Sequence, residues 1–286
     1  MQLIKRFVRF LGKMPPFLKR FLAKVVAGYL IVVPNQFARI TKLNIELAYP
    51  ELSEKQRLKL VRASLADLGQ KFFSLINTWV RPISHSHQLI KSIRGLTTFK
   101  RVSSDKPTLI LLPHIGNWEL FGVWLTQHRS YMAMFRPLRV NDFTEIVREA
   151  RERGGNVLVP ANTKGVRQIW KRLNQAETVI ILPDQAPKSG EGVYVPFFGH
   201  PVLTPVLPYR LALSAGAEVF VGAAVRVEHH YEIILRHLKK PVLGEQEQWL
   251  LMMNTEIEAL VRQFPNQYQW EYRRFRNAPD GSLRYP

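Results

Sequence analysis

The chain has 286 residues, of which 46% are hydrophobic and 11% aromatic, enough to bury a sizeable core and too apolar for a chain that stays disordered. Its 41 Lys+Arg against 22 Asp+Glu leave a formal charge of +19, which predicts anionic partners: nucleic acid, an anionic membrane surface, or acidic substrates and carrier proteins. Cysteine is absent, which excludes disulfides, Cys-based zinc sites and a cysteine nucleophile.

The first cations, Lys5, Arg6, Arg9, Lys13, Lys19, Arg20, Lys24, Arg39 and Lys42, all precede the first acid, Glu46. Leu3, Ile4, Phe7, Val8 and Leu11 fall on one face of a first helix, and Lys5, Arg6, Arg9 and Lys13 on the other. Pro15-Pro16 breaks this helix, and a second apolar-basic stretch runs from Phe17 to Val33. Greasy residues opposite unneutralised cations suit the plane of an anionic leaflet. The longest apolar run, Val25–Val33, falls well short of the ~18 residues of a spanning helix. The segment is therefore expected to lie on a membrane, with the mature chain beginning at or near Met1.

A long helix follows. Ser53-x-x-Gln56 has the form of a capping box. Leu58, Val61, Leu65, Leu68, Phe72, Leu75, Ile76 and Trp79 then recur at helical spacing until Arg81-Pro82. These aromatics are read as core. From about residue 96 short apolar runs alternate with helices. Strands are predicted at Thr108–Leu112, Asn156–Val159, Thr178–Leu182, Glu218–Val227 and Tyr231–Leu235. Helices are predicted at Trp118–Gln127, Lys164–Leu173 and Glu245–Phe264. The pattern predicts an α/β fold, a mixed sheet flanked by helices, with residues 1–95 as an N-terminal helical membrane-associating region and 96–286 as the catalytic domain. In such sheets the chemistry collects beyond the carboxyl ends of the strands.

The first of those strands runs into Pro113-His114-Ile115-Gly116-Asn117-Trp118-Glu119. His114 and Glu119 are about 140° apart on a regular helix, so they converge only if His114 sits in the strand-to-helix turn and Glu119 one turn into the helix. Gly116 and Asn117 suit that turn, and their backbone N–H groups would then point from a helix N-terminus towards an oxyanion. An imidazole ordered by a carboxylate is a general-base arrangement.

The strand at Thr178–Leu182 leads into Pro183-Asp184-Gln185, and Val195-Pro-Phe-Phe-Gly199 follows. With His114-x4-Glu119 and its interior Gly-Asn-Trp, these blocks resemble the late acyltransferases of lipid A biosynthesis, the lauroyl and myristoyl transferases within the glycerolipid acyltransferase superfamily. Asn44-Ile-Glu-Leu-Ala-Tyr-Pro50, Phe135-Arg136-Pro137, Arg151-Glu-Arg153-Gly154 and Gln269-Trp270 through Arg274-Phe275 agree in order. The resemblance spans roughly residues 44–280. It departs from the family in a weak N-terminal hydrophobic anchor, and in a Thr-rich stretch reduced to Thr204.

The resemblance implies a glycerolipid acyltransferase-like sheet and transfer of a fatty acyl chain from acyl carrier protein to a hydroxyl of an anionic glycolipid, on the cytoplasmic face of a Gram-negative inner membrane. It implies no cofactor, no metal and no nucleic acid. His114 would take the hydroxyl proton, the task for which an imidazole is suited near neutral pH, and Glu119 would hold the ring tautomer. A Gly-x-Ser-x-Gly elbow is absent, which favours direct transfer without an acyl-enzyme. Arg151 is the first candidate to grip acceptor phosphates, with Arg136, Arg153, Asp184 and Gln185 completing the substrate-binding set. Two alternatives stay open here: Asp184 as a cap of its loop, and the other cations between Arg136 and Arg172, Arg139 among them, as an ion-paired helix face. The rival functions are an acyltransferase acting on another glycolipid, phospholipid or amino-lipid, and a basic nucleic-acid-binding protein. No nucleic-acid-binding motif is apparent.

Overall fold

A computed structural model describes residues 2–101, 106–137, 141–188, 190–276, 278–282 and 284–285. Arg139 and the side chains of Leu3, Asn141 and Asp142 lie outside that description. Five helices open the chain: α1 (Gln2–Lys13), α2 (Pro16–Val32), α3 (Gln36–Ala48), α4 (Glu54–Val80) and α5 (Ile83–Gln88). The remainder alternates: β1 (Ile90–Arg94), α6 (Leu96–Arg101), β2 (Thr108–Leu111), α7 (Trp118–Leu125), β3 (Tyr131–Phe135), α8 (Asn141–Glu152), β4 (Val157–Pro160), α9 (Thr163–Asn174) and β5 (Thr178–Ile181). Then come the strands β6 (Gly192–Phe197) and β7 (His200–Pro205), α10 (Leu207–Ala215), β8 (Glu218–Val227), β9 (His230–Leu238) and α11 (Gln246–Gln263).

Seven strands form one sheet in the order β1-β9-β8-β2-β5-β3-β4. Every neighbouring pair is parallel except β8 and β9, which are joined as an antiparallel hairpin. The expected mixed α/β sheet is therefore present, with parallel pairing dominant. β1 precedes the expected boundary at residue 96 and yet pairs with β9. β2 and β5 are buried on both faces, as parallel strands covered by helices must be. Leu109, Leu111, Val179 and Ile181 pack on one side with Ile169, Leu211, Ile257 and also Ile45 and Leu65. Ile110, Ile180 and Phe220 pack on the other with Leu120, Phe121 and Trp124 of α7.

α4 begins at the capping box, Ser53 Oγ accepting from Gln56 N and Gln56 Oε1 from Ser53 N, and stops where Arg81 precedes proline. α1 and α2 pack on it. Val8, Leu11 and Met14 are buried with Phe73 and Ile76, while Phe7, Phe10, Phe17 and Phe21 stand about 60–70% exposed. The apolar residues of α1 therefore divide: Val8 and Leu11 face the protein, and Ile4 and Phe7 face out with Phe10. Lys5 is ion-paired to Glu145 and Glu149 of α8, so it is not part of an unneutralised face. Among the described residues no helix is long and apolar enough to cross a membrane.

The Val195–Gly199 block is the turn of the β6–β7 hairpin, with Phe198 and Gly199 both at positive φ. Phe198 packs against Tyr49 and Trp270, and its N–H donates to Glu258 (2.6 Å). Asn44, from the other end of the same resemblance, donates to the carbonyls of Trp270 (2.6 Å) and Tyr272 (2.7 Å) and accepts from the Tyr285 hydroxyl. Thr204 is buried and accepts from both Asn254 and Arg274. These blocks hold the fold together.

Candidate active site

His114 follows β2 and Asp184 follows β5, and because those strands are adjacent and parallel their carboxyl ends deliver both residues to one place. His114 Nδ1 lies 2.8 Å from Asp184 Oδ1, and the His114 backbone N–H donates to Asp184 Oδ2, also at 2.8 Å. Asp184 is buried. Burial by itself would push its carboxyl up, but the His114 ring, its two hydrogen bonds and the Arg274 guanidinium outweigh that and hold it below the ordinary range. A carboxylate on Nδ1 places the proton there and leaves Nε2 with its lone pair. Gln185 Nε2 lies 3.3 Å from that atom and 3.3 Å from Gln269 Oε1, and the Trp118 ring meets the imidazole edge-on at 5.1 Å.

The carboxylate partner of His114 is therefore Asp184, and the expected pairing with Glu119 is corrected. Glu119, in the first turn of α7, is held by Arg151 of α8 through Nη2 (2.6 Å) and Nε (2.9 Å). Glu119 is buried; for Arg151, burial would lower the guanidinium, and the Glu119 carboxylate more than compensates. The Phe135 ring lies 5.5 Å from the same guanidinium. His114, Glu119 and Arg151 nonetheless line one cleft of about 470 Å³, together with Gln185 and Gln269. Its walls include Leu75, Trp79, Val147 and Ile181, with Arg136 exposed at its edge.

Two further expectations change. The N–H groups of Gly116 and Asn117 are not free for an oxyanion, since they donate to Gln267 O (3.0 Å) and Ala224 O (2.8 Å). The turn is stitched to β8 and to the Pro265–Gln267 turn instead, and a Cβ on Gly116, at φ +61°, would stand 2.1 Å from Ala224 O, so only glycine fits. The Asn117 side chain caps α7 by accepting from Leu120 N (3.0 Å) and ties it to α4 by donating to Ser74 and Thr78. Arg153 is directed away from the acceptor role: it donates to Thr78 O (2.9 Å) and Arg81 O (2.8 Å), the carbonyls that end α4, where a cation also offsets the helix dipole.

Gln269 and Trp79 line the cleft without having been singled out as site residues by the sequence. Trp79 carries only the helical periodicity of a core residue. For Gln269 the one signal is its place at the start of the closing block. Its backbone explains its position, because Gln269 N donates to His114 O (3.1 Å) and so pins the C-terminal segment beside the histidine.

The chain is similar to known proteins over most of its length. The family described as bacterial lipid A biosynthesis acyltransferase matches residues 3–277. The chain is 25% identical over 246 residues to the lipid A biosynthesis palmitoleoyltransferase of Escherichia coli strain K12, covering 85% of this chain and 79% of that one. It is 25% identical over 249 residues to the lipid A biosynthesis lauroyltransferase of the same strain, covering 85% and 80%. Over a shorter stretch of 166 residues, 55% of this chain and 52% of the other, it is 31% identical to the phosphatidylinositol mannoside acyltransferase of Mycobacterium tuberculosis. With the family matched from the first helix to the closing block, the chain belongs to the bacterial lipid A biosynthesis acyltransferases, and it is an acyltransferase.

Proposed function

We propose that this protein transfers a fatty acyl chain from acyl carrier protein to a hydroxyl of a lipid A-type glycolipid, with His114 as general base. The observation that carries the reading is the His114–Asp184 pair at the cleft, which presents the Nε2 lone pair of an imidazole whose other nitrogen is fixed. The acceptor O–H gives its proton to Nε2 as the oxygen attacks the thioester carbonyl. Asp184 stabilises the imidazolium, the C–S bond breaks, and the departing thiolate can take the proton back. The carboxamides of Gln185 and Gln269 are the N–H donors best placed to meet the developing oxyanion, in the role first expected of Gly116 and Asn117.

Glu119 acts in this reading through Arg151. It occupies Nε and Nη2 and leaves the Nη1 amino group to an acceptor phosphate, with Arg136 adding charge at the cleft edge. The apolar walls at Leu75, Trp79, Val147 and Ile181 suit an acyl chain. The row of exposed aromatics on α1 and α2, among the cations Arg6, Arg9 and Arg20, seats the enzyme on the cytoplasmic face of the inner membrane.

The test is mass spectrometry of lipid A from a strain lacking the gene, with reconstitution by the purified enzyme and an acylated carrier protein. Loss of one acyl chain, restored by the wild type and not by His114→Ala, is the expected result. The identity to the mycobacterial relative favours one second reading, a mannosylated phospholipid acceptor. An unchanged lipid A, with acylation of a phosphatidylinositol mannoside in vitro, would replace the first reading with that one.

A further inference from the structure

The Pro15-Pro16 elbow between α1 and α2 leans on the last turns of α4 and borders a second, open pocket of about 260 Å³. It lies on the side of α4 that presents Phe73, Ser74 and Asn77, whereas Leu75 and Trp79 line the catalytic cleft, so the helix separates the two. Lys19, Arg20, Arg81, His85 and Arg226 line it, and no Asp or Glu is among its lining residues.

Arg226 has its own counter-ion in Asp67. The others do not. Lys19 Nζ donates to Gly12 O (2.7 Å) and Asn77 Oδ1 (3.0 Å), and Arg81 donates through Nε and Nη2 to Gly12 O and Lys13 O (3.0 and 3.1 Å). Both therefore cap the C-terminus of α1. A helix terminus carries only about half a charge, so two full cations, with Arg20 beside them, leave the pocket positive. Burial, with Arg81 adding to it, pushes the Lys19 ammonium down to about 8, and burial, Arg81 and Lys19 together lower His85. Donors also remain unused. Lys19 keeps one N–H, Arg81 keeps Nη1, and His85, whose Nε2 faces Asn77 Nδ2 at 3.4 Å, keeps Nδ1.

We propose that this pocket is a seat for a phosphate ester, held by Lys19, Arg20, Arg81 and His85. Several separate donors around one positive pocket match the charge and the three acceptor oxygens of a phosphate better than a flat carboxylate. Phe17 and Phe21, exposed beside the elbow, make a lipid headgroup one source of that phosphate; a soluble phosphate ester is the other. The proposal does not rest on the acyl-transfer reading, because none of the four residues lines the cleft.

The experiment follows the Lys19 titration by NMR in the full-length protein with labelled lysines, in neutral detergent, with Lys19→Gln to assign the signal. Inorganic phosphate is exchanged for chloride at constant ionic strength. In parallel, bicelles of phosphatidylcholine are compared with bicelles that also contain phosphatidylglycerol. An occupied seat should raise the Lys19 pKa by about one unit, a tenfold preference of the anion for the charged lysine. A response to phosphate alone assigns a soluble ester, and a response to phosphatidylglycerol alone assigns a lipid headgroup. The Arg20→Gln/His85→Ala variant, with unchanged thermal unfolding, should need about tenfold more of either. A Lys19 titration that ignores both additions, or that responds equally in the variant, overturns the proposal.

Discussion

Asp184 accepts two hydrogen bonds from a single residue, one from the imidazole Nδ1 of His114 and one from its backbone N–H. The carboxylate thus fixes both the ring and the strand end that carries it. A side-chain bond alone would leave the imidazole free to swing with its loop.

His114→Ala and Asp184→Asn should each lower kcat by about 10²–10⁴-fold, the usual worth of a positioned general base. Because the two act as one unit, the double variant should be hardly worse than His114→Ala. Turnover of an acylated carrier protein with a glycolipid acceptor is the measurement. Independent, multiplying losses would separate Asp184 from the base.

Glu119 and Arg151 should behave as a buried ion pair. Glu119→Ala leaves the Arg151 guanidinium without its partner and should cost about 3–5 kcal/mol in unfolding free energy, whereas the Glu119→Leu/Arg151→Met pair should recover most of it. Arg151→Ala should raise KM for the acceptor more than KM for the donor. Denaturant melts and steady-state kinetics on the same variants check both statements.

The exposed and buried faces of α1 and α2 should separate in solution. Replacing Phe7, Phe10, Phe17 and Phe21 with Ser should weaken sedimentation with anionic vesicles and leave the melt unchanged, because these side chains are exposed. Leu11→Ala should instead lower stability by about 2–5 kcal/mol. High salt should release the wild type only in part, and detergent fully, since salt screens charges without reaching buried rings.

Lys19 sets a stability window on the alkaline side. Its folded value of about 8 lies below its ordinary 10.5, so between those limits the unfolded chain holds more protons. Stability conferred at this position should therefore rise as pH climbs from about 8 to 10.5. Urea melts of the wild type and Lys19→Met across that range measure the difference, which should be flat below pH 8.

Much of this was legible in the residues. Apolar runs such as Thr108–Leu112 and Thr178–Leu182 announced the central parallel strands, and the capping box at Ser53 placed the start of α4. His114 was legible from its position after a buried strand. Its partner was not, because pairing depends on strand order: five positions along the chain brought Glu119 no nearer than the other wall, while seventy positions brought Asp184 into contact. β3 is harder to read because its apolar run, Tyr131-Met-Ala-Met-Phe135, has no β-branched residue. β1 escaped because Ile90-Lys-Ser-Ile-Arg94 is an edge strand with mostly exposed polar residues. The Val195–Gly199 block reads as a functional signature and works as a hairpin turn, a distinction that only packing reveals.

Asn44 reaches across 226 positions to the carbonyl of Trp270, and β2 waits more than a hundred residues for its neighbour β8. Such separations make the order of synthesis matter. On the ribosome the basic, aromatic α1 and α2 emerge before the catalytic cleft can form. The seat of α3 is completed only by the last segment of the chain. Limited proteolysis of ribosome-bound chains of increasing length should therefore find α3 protected only once residues 270–285 have left the exit tunnel.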